Sequence, residues 1–321
     1  MHTKISRQRF RGCIVGSALG DAIGNMAFAY PLGIPKHQYL TDLEQRISLL
    51  EDLTYTDDTA MVIGLCESIL ANGGIDEQHL GDTLATNFYK EPWRGYAAGP
   101  PIIFQRVNNQ GLSYRKAAQS LFGGQGSYGN GAAMRIAPLA LLYGHRQDLY
   151  SLVENCAAVT NAHAVGIDGA AIIAKAIAIA AYRREELTIN NFIRPLQVFS
   201  RTPEMIEKLI LLEDIYCHCN DTSVAARRLG TGTLASESVP FALYTFLCNQ
   251  HSYKDCILQA GFHGGDSDTI AAMVGAISGV YLGENSLPLP WSHLENKNYL
   301  LQLSNDLHTL YNYPRSVLGI S

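Results

Sequence analysis

The chain has 321 residues, of which 47% are hydrophobic and 17% charged, and its formal net charge is −5. This composition is typical of a folded globular protein and excludes an intrinsically disordered chain. A net negative charge without any run of Lys or Arg argues against binding to a nucleic-acid backbone, so no direct nucleic-acid contact is expected.

Helical periodicity dominates the chain from its N-terminal part onward. Apolar residues recur at helical spacing over residues 59–71, 132–142, 168–182, 204–219, 239–248 and 269–282. Gly and Pro predict loops at residues 30–35, 72–74, 95–101, 123–131, 229–232 and 283–290. Alternating apolar and polar runs are nearly absent, so no sheet is predicted. Because no low-complexity linker divides the chain, we predict a single all-α domain over residues 1–321, a multi-helix bundle that acts as a monomer.

The cysteines and the apolar stretches bear on the cellular compartment. Seven cysteines are scattered along the chain, and no apolar secretory segment precedes them. Free thiols in a reducing compartment are the simplest interpretation, and a cytoplasmic location follows from it. The longest apolar stretch, 169–182, contains Lys175 and falls short of the roughly 20 residues that a membrane span needs. It is predicted to be a buried helix, with no membrane contact.

Two acidic motifs, near opposite ends of the sequence, each lead into an apolar helix. The first, YTDDT, covers residues 55–59, and the second, GGDSDT, covers residues 264–269. One interpretation is helix capping, because Thr and Asp cap helices and Asp favours the positive end of the helix dipole. A cap needs one oxygen, whereas the motifs together supply four carboxylates, which would repel one another without a counterion.

A pair of divalent cations would remove this repulsion. Carboxylate and hydroxyl oxygens suit Mg²⁺, Mn²⁺ or Ca²⁺ rather than Zn²⁺. We therefore predict that two divalent ions bind between residues 56–58 and 266–269, in an arrangement that leaves room for water and substrate. An EF-hand is excluded because the spacing of its ligands is absent. Zinc binding through Cys217, His218 and Cys219 is disfavoured, since no second ligand pair lies at zinc spacing.

A glycine-rich segment, FGGQGSYGNGAAMRIAP, covers residues 122–138 and enters a predicted helix. Such a loop exposes backbone N–H groups at a positive helix end, which is how proteins cradle phosphate. Ser127 and Asn130 add side-chain hydrogen bonds, and Phe122 and Tyr128 offer ring faces to a base or ribose. The alternative is a flexible surface loop, because neither the P-loop pattern nor the dinucleotide fingerprint fits.

With these segments in hand, the chain resembles the ADP-ribosylglycohydrolase family from about Arg9 to Gly283. The shared motifs are RFRGCIVGSALGDAIG, YTDDTAM, KEPWRGYAAG, GQGSYGNGAAMRIAPLAL, LGTGTLASESVP and HGGDSDTIAAMVGAISGVYLG. The order of TDDT, SYGNGAAMR and GGDSDT is specific to this family. Within it, the sequence looks most like the branch that removes ADP-ribose from serine and cleaves poly(ADP-ribose) or O-acetyl-ADP-ribose.

The resemblance implies an all-α bundle with a dinuclear metal site at its centre, holding two Mg²⁺ or Mn²⁺ ions. The positions that match the family's metal ligands are Thr56, Asp57, Asp58, Asp266, Asp268 and Thr269. The positions that match the loop around the diphosphate and proximal ribose are Gly126, Ser127, Tyr128, Gly129 and Asn130. Phe122 matches an aromatic residue that stacks on the adenosine side, and Gly95 lies at a further ligand-lining position.

The sequence departs from the family at two positions. The serine-type branch carries a Glu that gates the site and assists catalysis, where this chain has Phe28. A Thr-His pair whose His holds the ribose is replaced by Thr160-Asn161. His163 is a possible substitute for that His, but a helix turns by about 200° over two residues, so it need not face the site. Phe28 is expected to line the mouth of the pocket, and Asn161 to line the ribose position.

The implied activity is hydrolysis of a glycosidic bond that joins ADP-ribose to a protein side chain or a related conjugate. Asp57, Asp58 and Asp268 are the candidate catalytic residues, with one aspartate accepting the proton of water. Glycoside hydrolysis usually needs a second carboxylate, and Glu44, Glu51 and Asp52 are candidates within a predicted loop at 30–54. The alternative is a protein of the same fold that binds ADP-ribose or a modified partner without turnover, as an inhibitor or immunity protein would.

Overall fold

The computed structural model describes residues 4–183, 185–219 and 221–314, apart from the side chain of Pro290. The remaining positions of the predicted 1–321 domain lie outside the described residues. Within the described part the structure is all-α, as predicted: it contains helices and two isolated β-bridges but no β-strand.

The helices are labelled in chain order. They are α1 (Arg7–Ala27), α2 (Lys36–Leu49), α3 (Asp57–Asn72), α4 (Glu77–Lys90), α5 (Gly99–Gln110), α6 (Tyr114–Gln119), α7 (Gly131–Arg135), α8 (Ala137–Tyr143), α9 (Leu149–Ala157), α10 (Ala164–Tyr182), α11 (Arg194–Phe199), α12 (Pro203–His218), α13 (Thr222–Leu229), α14 (Ala235–Asn249), α15 (Tyr253–Phe262), α16 (Ser267–Leu282) and α17 (Lys297–Asn312). Short 3-10 turns occupy Phe122–Gly124, Glu284–Ser286 and Leu289–Trp291, and a π-helical turn occupies Ile189–Ile193.

The first helix and the last apolar helix are packed unusually closely. Gly12, Gly16, Gly20 and Gly24 recur every four residues and therefore share one face of α1. A Cβ added at any of them would overlap the backbone of α16, which runs antiparallel to α1. The missing side chains let the two backbones approach, and this approach brings the C-terminal half of α1 beside the acidic start of α16.

The long apolar segment forms a core helix, as predicted. Helix α10 is long and apolar enough to cross a membrane by composition, but 78% of its most apolar window is buried inside the protein. It packs against α7, α9, α14 and α16. Its N-terminus lies beside the glycine-rich loop, because Gly166 closely approaches the Ser127 carbonyl.

Two local predictions were wrong. The expected loop at 30–54 contains α2, a mostly polar helix whose Tyr39, Leu43 and Ile47 are spaced by four residues and buried. Its few apolar positions were too sparse to signal a helix. The predicted helix at 132–142 is split into α7 and α8 at Ile136. Pro138 has no N–H to donate to the preceding turn, so a continuous helix is interrupted there.

Candidate active site

The first acidic motif forms the N-terminus of α3. Thr56 is the N-cap residue, and its side chain accepts a hydrogen bond of 3.4 Å from the Asp58 N–H. Asp57 and Asp58 follow in the first turn, where the helix dipole favours negative charge. The capping interpretation is therefore correct for Thr56. Asp57 and Asp58 are not the N-cap residue, so capping does not explain their carboxylates.

Asp21, in the C-terminal half of α1, holds this motif in place. It is fully buried, and its carboxylate accepts hydrogen bonds from the N–H and hydroxyl groups of both Thr56 and Thr59, at distances of 2.6–3.1 Å. Its oxygens lie close enough to Asp58 and Asp268 to share a cation. Because both oxygens already accept from these threonines, we assign Asp21 to orienting the motif rather than to binding a metal.

The second acidic motif begins α16 and meets the first. Asp266 is the N-cap residue of α16 and Asp268 lies in its first turn. The Thr269 hydroxyl donates to Asp58 Oδ2 over 3.2 Å, which joins the two helix starts directly. Carboxylate oxygens of Asp21, Asp58 and Asp268 lie within 4.8 Å of one another. The two motifs, 211 residues apart at this contact, are thus brought into one cluster, as the sequence predicted.

Within the described residues, no Lys, Arg or His forms a salt bridge with the carboxylates of this cluster. Burial and the neighbouring carboxylates raise the pKa of Asp57 to about 8 and that of Asp268 to about 7. The same causes raise the pKa of Asp58, and burial raises that of Asp21. Asp58 Oδ1 is buried without any hydrogen-bond partner. An unpartnered carboxylate oxygen among mutually repelling carboxylates fits a divalent cation bound by oxygen ligands.

The cluster lies in the wall of a cavity of about 520 Å³. The lining residues are Asp57, Asp58, Met61, Gly95, Ala97, Ala98, Gly99, Pro100, Phe122, Ser127, Tyr128, Gly129, Asn130, Gly131, Met134, Arg135, Thr160, Asn161, Thr233, Leu234, Asp266, Asp268 and Thr269. Most of the predicted site residues therefore share one cavity. Phe28, Thr56 and Gly126 are absent from the lining, although Thr56 contacts Asp58 within the cluster.

The glycine-rich loop forms another wall of this cavity. Gly123, Gly124 and Gly126 have φ values of 70°, 90° and 78°, a conformation that favours glycine. Phe122, also at positive φ, is 66% exposed and leaves its ring face free for a ligand. Ser127 Oγ accepts a hydrogen bond from the Gly129 N–H, which curls the backbone of the loop.

Two loop side chains contact protein groups that the sequence did not indicate. The side-chain amide of Asn130 donates to Asp266 Oδ2 over 2.6 Å and to Ser238 Oγ over 3.0 Å. Asn130 therefore joins the loop to a predicted metal ligand. Arg135 is fully buried and donates to the carbonyls of Gly131 and Cys156, holding the end of the loop.

Asn161 is hydrogen-bonded to the glycine-rich loop. Its amide nitrogen donates to the Gly129 carbonyl over 3.0 Å and to Ser127 Oγ over 3.3 Å, and its oxygen accepts from the Thr160 hydroxyl. His163 stacks on the Tyr128 ring with a centroid separation of 3.5 Å. Residues 161–163 lie between α9 and α10 rather than in a helix, so the helical-rotation argument for His163 was wrong.

Arg94 contacts Tyr55, the first residue of the first acidic motif. It donates to the Tyr55 carbonyl, forms ion pairs with Glu91 and Glu295, and lies over the Tyr55 ring at 4.2 Å. The next residue, Gly95, has a φ of 91° and faces Asp57. The sequence did not indicate the role of Arg94, because Tyr55 and Glu295 lie 39 and 201 residues away from it in the chain.

The residues considered as a second carboxylate do not line the cavity, and neither does Phe28, which was expected at its mouth. Phe28 caps the C-terminal end of α1 and is 54% exposed. Glu44 lies on α2 and pairs with Lys254, while Glu51 and Asp52 are exposed beyond the end of that helix. Within the described residues, the carboxylates that line the cavity are those of Asp57, Asp58, Asp266 and Asp268.

Comparison with known proteins places these features in a family. The family model for ADP-ribosylglycohydrolase matches residues 2–316. The human ADP-ribosylhydrolase ARH3 is 32% identical, covering 89% of this chain and 88% of its own. The zebrafish (Danio rerio) ADP-ribosylhydrolase ARH3 is also 32% identical, covering 96% and 92%. A solved structure titled ADP-ribosylglycohydrolase-related protein complex superposes with a TM-score of 0.71 at 22% identity, covering 95% and 99% of the two chains.

The fold and the site define an all-α protein with a carboxylate cluster in the wall of a ligand-sized cavity. The chain belongs to the ADP-ribosylglycohydrolase family, and is therefore a hydrolase of glycosidic bonds. Metal dependence is general to this family, in agreement with the carboxylate cluster.

Proposed function

We propose that the protein hydrolyses the bond between ADP-ribose and an acceptor, with two divalent cations at the acidic cluster. The observation that carries this proposal is Asp58 Oδ1, buried and unpartnered beside Asp268 in a cavity that the glycine-rich loop also lines. The cavity volume of about 520 Å³ lies within the usual range for small-molecule sites. The names of the ARH3 relatives agree with this substrate class.

The residues proposed to hold the cations are Thr56, Asp57, Asp58, Asp266, Asp268 and Thr269. Their oxygen atoms favour Mg²⁺, with Mn²⁺ as the alternative. Such ions would supply Lewis-acid chemistry, which would orient the ribose hydroxyls and polarise a water molecule. Asp21 and Arg94 contribute by fixing the backbone of the first motif, through hydrogen bonds to Thr56 and Tyr55.

Other residues of the chain are proposed to bind ADP-ribose and to accept a proton from the attacking water. The N–H groups of residues 126, 129 and 130 already donate within the protein, so the N–H groups of Ser127, Tyr128 and Gly131 and the Ser127 hydroxyl are assigned to the diphosphate. The exposed Phe122 ring covers the adenosine. Asp57 and Asp268 line the cavity and are less buried than Asp58, so their carboxylates are placed to accept a proton from the attacking water. Gly95 and Asn161 line the space that remains for the ribose.

An ADP-ribose-binding protein without turnover is the second candidate. Three observations favour it. No Glu lines the cavity within the described residues, and Phe28 stands where the serine-type branch has its Glu. In addition, the Asn161 amide nitrogen donates to Ser127 and Gly129 of the loop, so it is not available to donate to the ribose. A binder would hold the same ligand through the same loop.

A turnover assay separates the two candidates. Peptides carrying ADP-ribose on serine or on arginine are incubated with the protein in Mg²⁺ or in EDTA, and released ADP-ribose is measured. We expect Mg²⁺-dependent release from at least one linkage, and none from Asp58→Asn, whose side chain keeps its size but loses its charge. Tight ADP-ribose binding by calorimetry, without release from either peptide, would support the binder instead.

A further inference from the structure

We infer that Asn130 and residues 231–235 couple the glycine-rich loop to the metal site, so that a divalent cation orders the loop before ADP-ribose binds. This inference rests on the proposed function, because it requires that residues 56–58 and 266–269 bind a cation. Residues 231–235 are called the bridging segment below. The role assigned to Asn130 is that of a positioning residue, acting on Asp266.

The bridging segment is tied by backbone hydrogen bonds to both loops. On one side, the Asp266 N–H donates to the Thr231 carbonyl over 2.7 Å. On the other side, the Asn130 N–H donates to the Thr233 carbonyl and the Ala235 N–H to the Tyr128 carbonyl, both over 3.0 Å. A displacement of Asp266 is therefore transmitted to the glycine-rich loop through peptide groups.

Close packing restricts movement of the bridging segment relative to Gly265 and Glu237. Gly265 has a φ of 78°, and a Cβ there would overlap Thr231. At the other face, the Gly232 N–H donates to Glu237 Oε2 over 3.1 Å, and the Glu237 stem packs on Gly230. Because packed backbone has discrete arrangements rather than a continuous range, the two loops are expected to shift together.

A side-chain contact connects the same two loops directly. Asn130 Nδ2 lies 2.6 Å from Asp266 Oδ2, and Asn130 is only 6% exposed. A donor to one oxygen of Asp266 leaves the other oxygen for a cation and fixes the rotation of the carboxylate. Partners of this kind, beyond the metal ligands themselves, typically change metal affinity by roughly 10–100-fold.

Amide hydrogen exchange with Mg²⁺ alone tests the coupling without any ligand that touches both sites. In the wild type, saturating Mg²⁺ should slow exchange at residues 126–131 by about fivefold or more, the low end of typical coupling between sites. Asn130→Ala should lose most of this slowing. Gln125→Ala is the matched control, because Gln125 is exposed on the same loop, lies outside the cavity lining and contacts the Tyr128 hydroxyl rather than Asp266; it should keep the slowing.

Calorimetry provides a second readout. Coupling is reciprocal, so ADP-ribose should tighten Mg²⁺ binding by the same factor by which Mg²⁺ tightens ADP-ribose binding. Asn130→Ala should reduce this factor, and Asn130→Asp, which keeps the shape but places a carboxylate against Asp266, should reduce it further. If Asn130→Ala does not fold, the wild-type exchange experiment still decides the question.

The outcomes separate this inference from the proposed function. If Mg²⁺ raises the unfolding temperature of the wild type but leaves exchange at 126–131 unchanged, the coupling is wrong and the metal site stands. If Mg²⁺ slows exchange equally in wild type and Asn130→Ala, Asn130 does not couple the loop to the metal site. If Mg²⁺ neither binds nor stabilises the protein, both proposals are overturned.

Discussion

The Thr59 hydroxyl donates a hydrogen bond of 2.6 Å to Asp21 Oδ2, and the Thr59 N–H donates another of 3.0 Å to the same oxygen. This pair joins α1 to the first turn of α3. Since α1 is itself packed backbone to backbone against α16, the interaction fixes both acidic helix starts relative to each other. The geometry of the proposed cation site thus depends on a residue that is not among its proposed ligands.

Replacing Asp21 should therefore weaken Mg²⁺ binding. Asp21→Asn keeps the size of the side chain, but one of its terminal atoms becomes a donor facing the Thr56 and Thr59 donors. We expect destabilisation of about 1–3 kcal/mol from unpaired buried groups, and a loss of Mg²⁺ affinity of roughly 10–100-fold. Thermal unfolding and calorimetry with Mg²⁺ measure the two effects.

Asp168→Asn is the matched control. Asp168 is also fully buried, and accepts hydrogen bonds from Tyr150, Ser200, Arg201 and Thr202, away from the cavity. It should cost similar stability and leave Mg²⁺ affinity unchanged. Equal Mg²⁺ affinity in Asp21→Asn and wild type would show that Asp21 serves the fold alone.

The close packing of α1 on α16 should be sensitive to a single methyl group. Gly20→Ala places a Cβ against the Ala271 backbone, so we expect destabilisation of about 1–3 kcal/mol or more. Gly74→Ala, whose Cβ would meet only the Tyr143 hydroxyl at 3.8 Å, should be nearly neutral. Urea unfolding of both variants measures the difference, and similar midpoints would contradict the packing argument.

Stability should depend on pH in opposite senses with and without a cation. The pKa of Asp57 is raised to about 8 and that of Asp268 to about 7, from a usual value of 3.8 in an unfolded chain. Between about pH 4 and about pH 8, the metal-free folded protein retains protons that the unfolded chain has lost. Rising pH therefore destabilises the metal-free protein, whereas it removes the protons that compete with Mg²⁺.

The Mg²⁺-induced rise in unfolding temperature should therefore grow between about pH 5.5 and about pH 8. Differential scanning calorimetry in Mg²⁺ and in EDTA measures it. Asp268→Asn serves as the control, since it removes one titrating carboxylate and should flatten the trend. A Mg²⁺-induced shift that is equal at both pH values would be inconsistent with protonated aspartates at the site.

Phe28 occupies the position at which the serine-type branch has a Glu, so substitutions there test whether that carboxylate limits activity. We expect the wild type to release serine-linked ADP-ribose slowly or not at all, with arginine linkage or another acceptor as its better substrate. Phe28 is outside the cavity lining, but it lies about one helical turn beyond Gly24, which packs against the Asp268 backbone. Phe28→Glu should therefore bring a carboxylate towards the cluster and raise serine-linked release, because a general acid or base typically contributes roughly 10²–10⁴-fold. Phe28 is 54% exposed, so the substitution should cost little packing. Phe28→Gln controls for polarity without a proton donor, and equal release from both variants would exclude the carboxylate effect.

The sequence predicted the elements whose signal is local or repeated. Apolar periodicity located α3, α10, α12, α14 and α16, and the paired acidic motifs predicted their own convergence. Helix α2 was missed because three buried residues in fourteen give little periodicity. Asp21 was quoted within a shared motif, but its partners lie 35–38 residues away. A lone Asp among the apolar and glycine residues of this helix was the available signal, since such a residue needs buried partners.

Other contacts depended on tertiary structure and left no mark in the sequence. The Asn130 contact with Asp266 spans 136 residues, and no spacing rule links them. Asn161 was expected to line the ribose position, and it does line the cavity, but its support of the loop follows from the turn between α9 and α10. The stacking of His163 on Tyr128 arises at that same turn.

Release of ADP-ribose during a Mg²⁺ titration tests the central claim most directly, namely that the acidic cluster binds the cations that hydrolysis requires. Wild type and Asp268→Ala are compared on the better of the serine- and arginine-linked peptides, with Asp168→Asn as a control for lost stability. We predict release that saturates with Mg²⁺, is abolished by EDTA, falls at least roughly 10²-fold in Asp268→Ala and persists in Asp168→Asn. Equal release in Mg²⁺ and in EDTA, or from wild type and Asp268→Ala, would contradict the account.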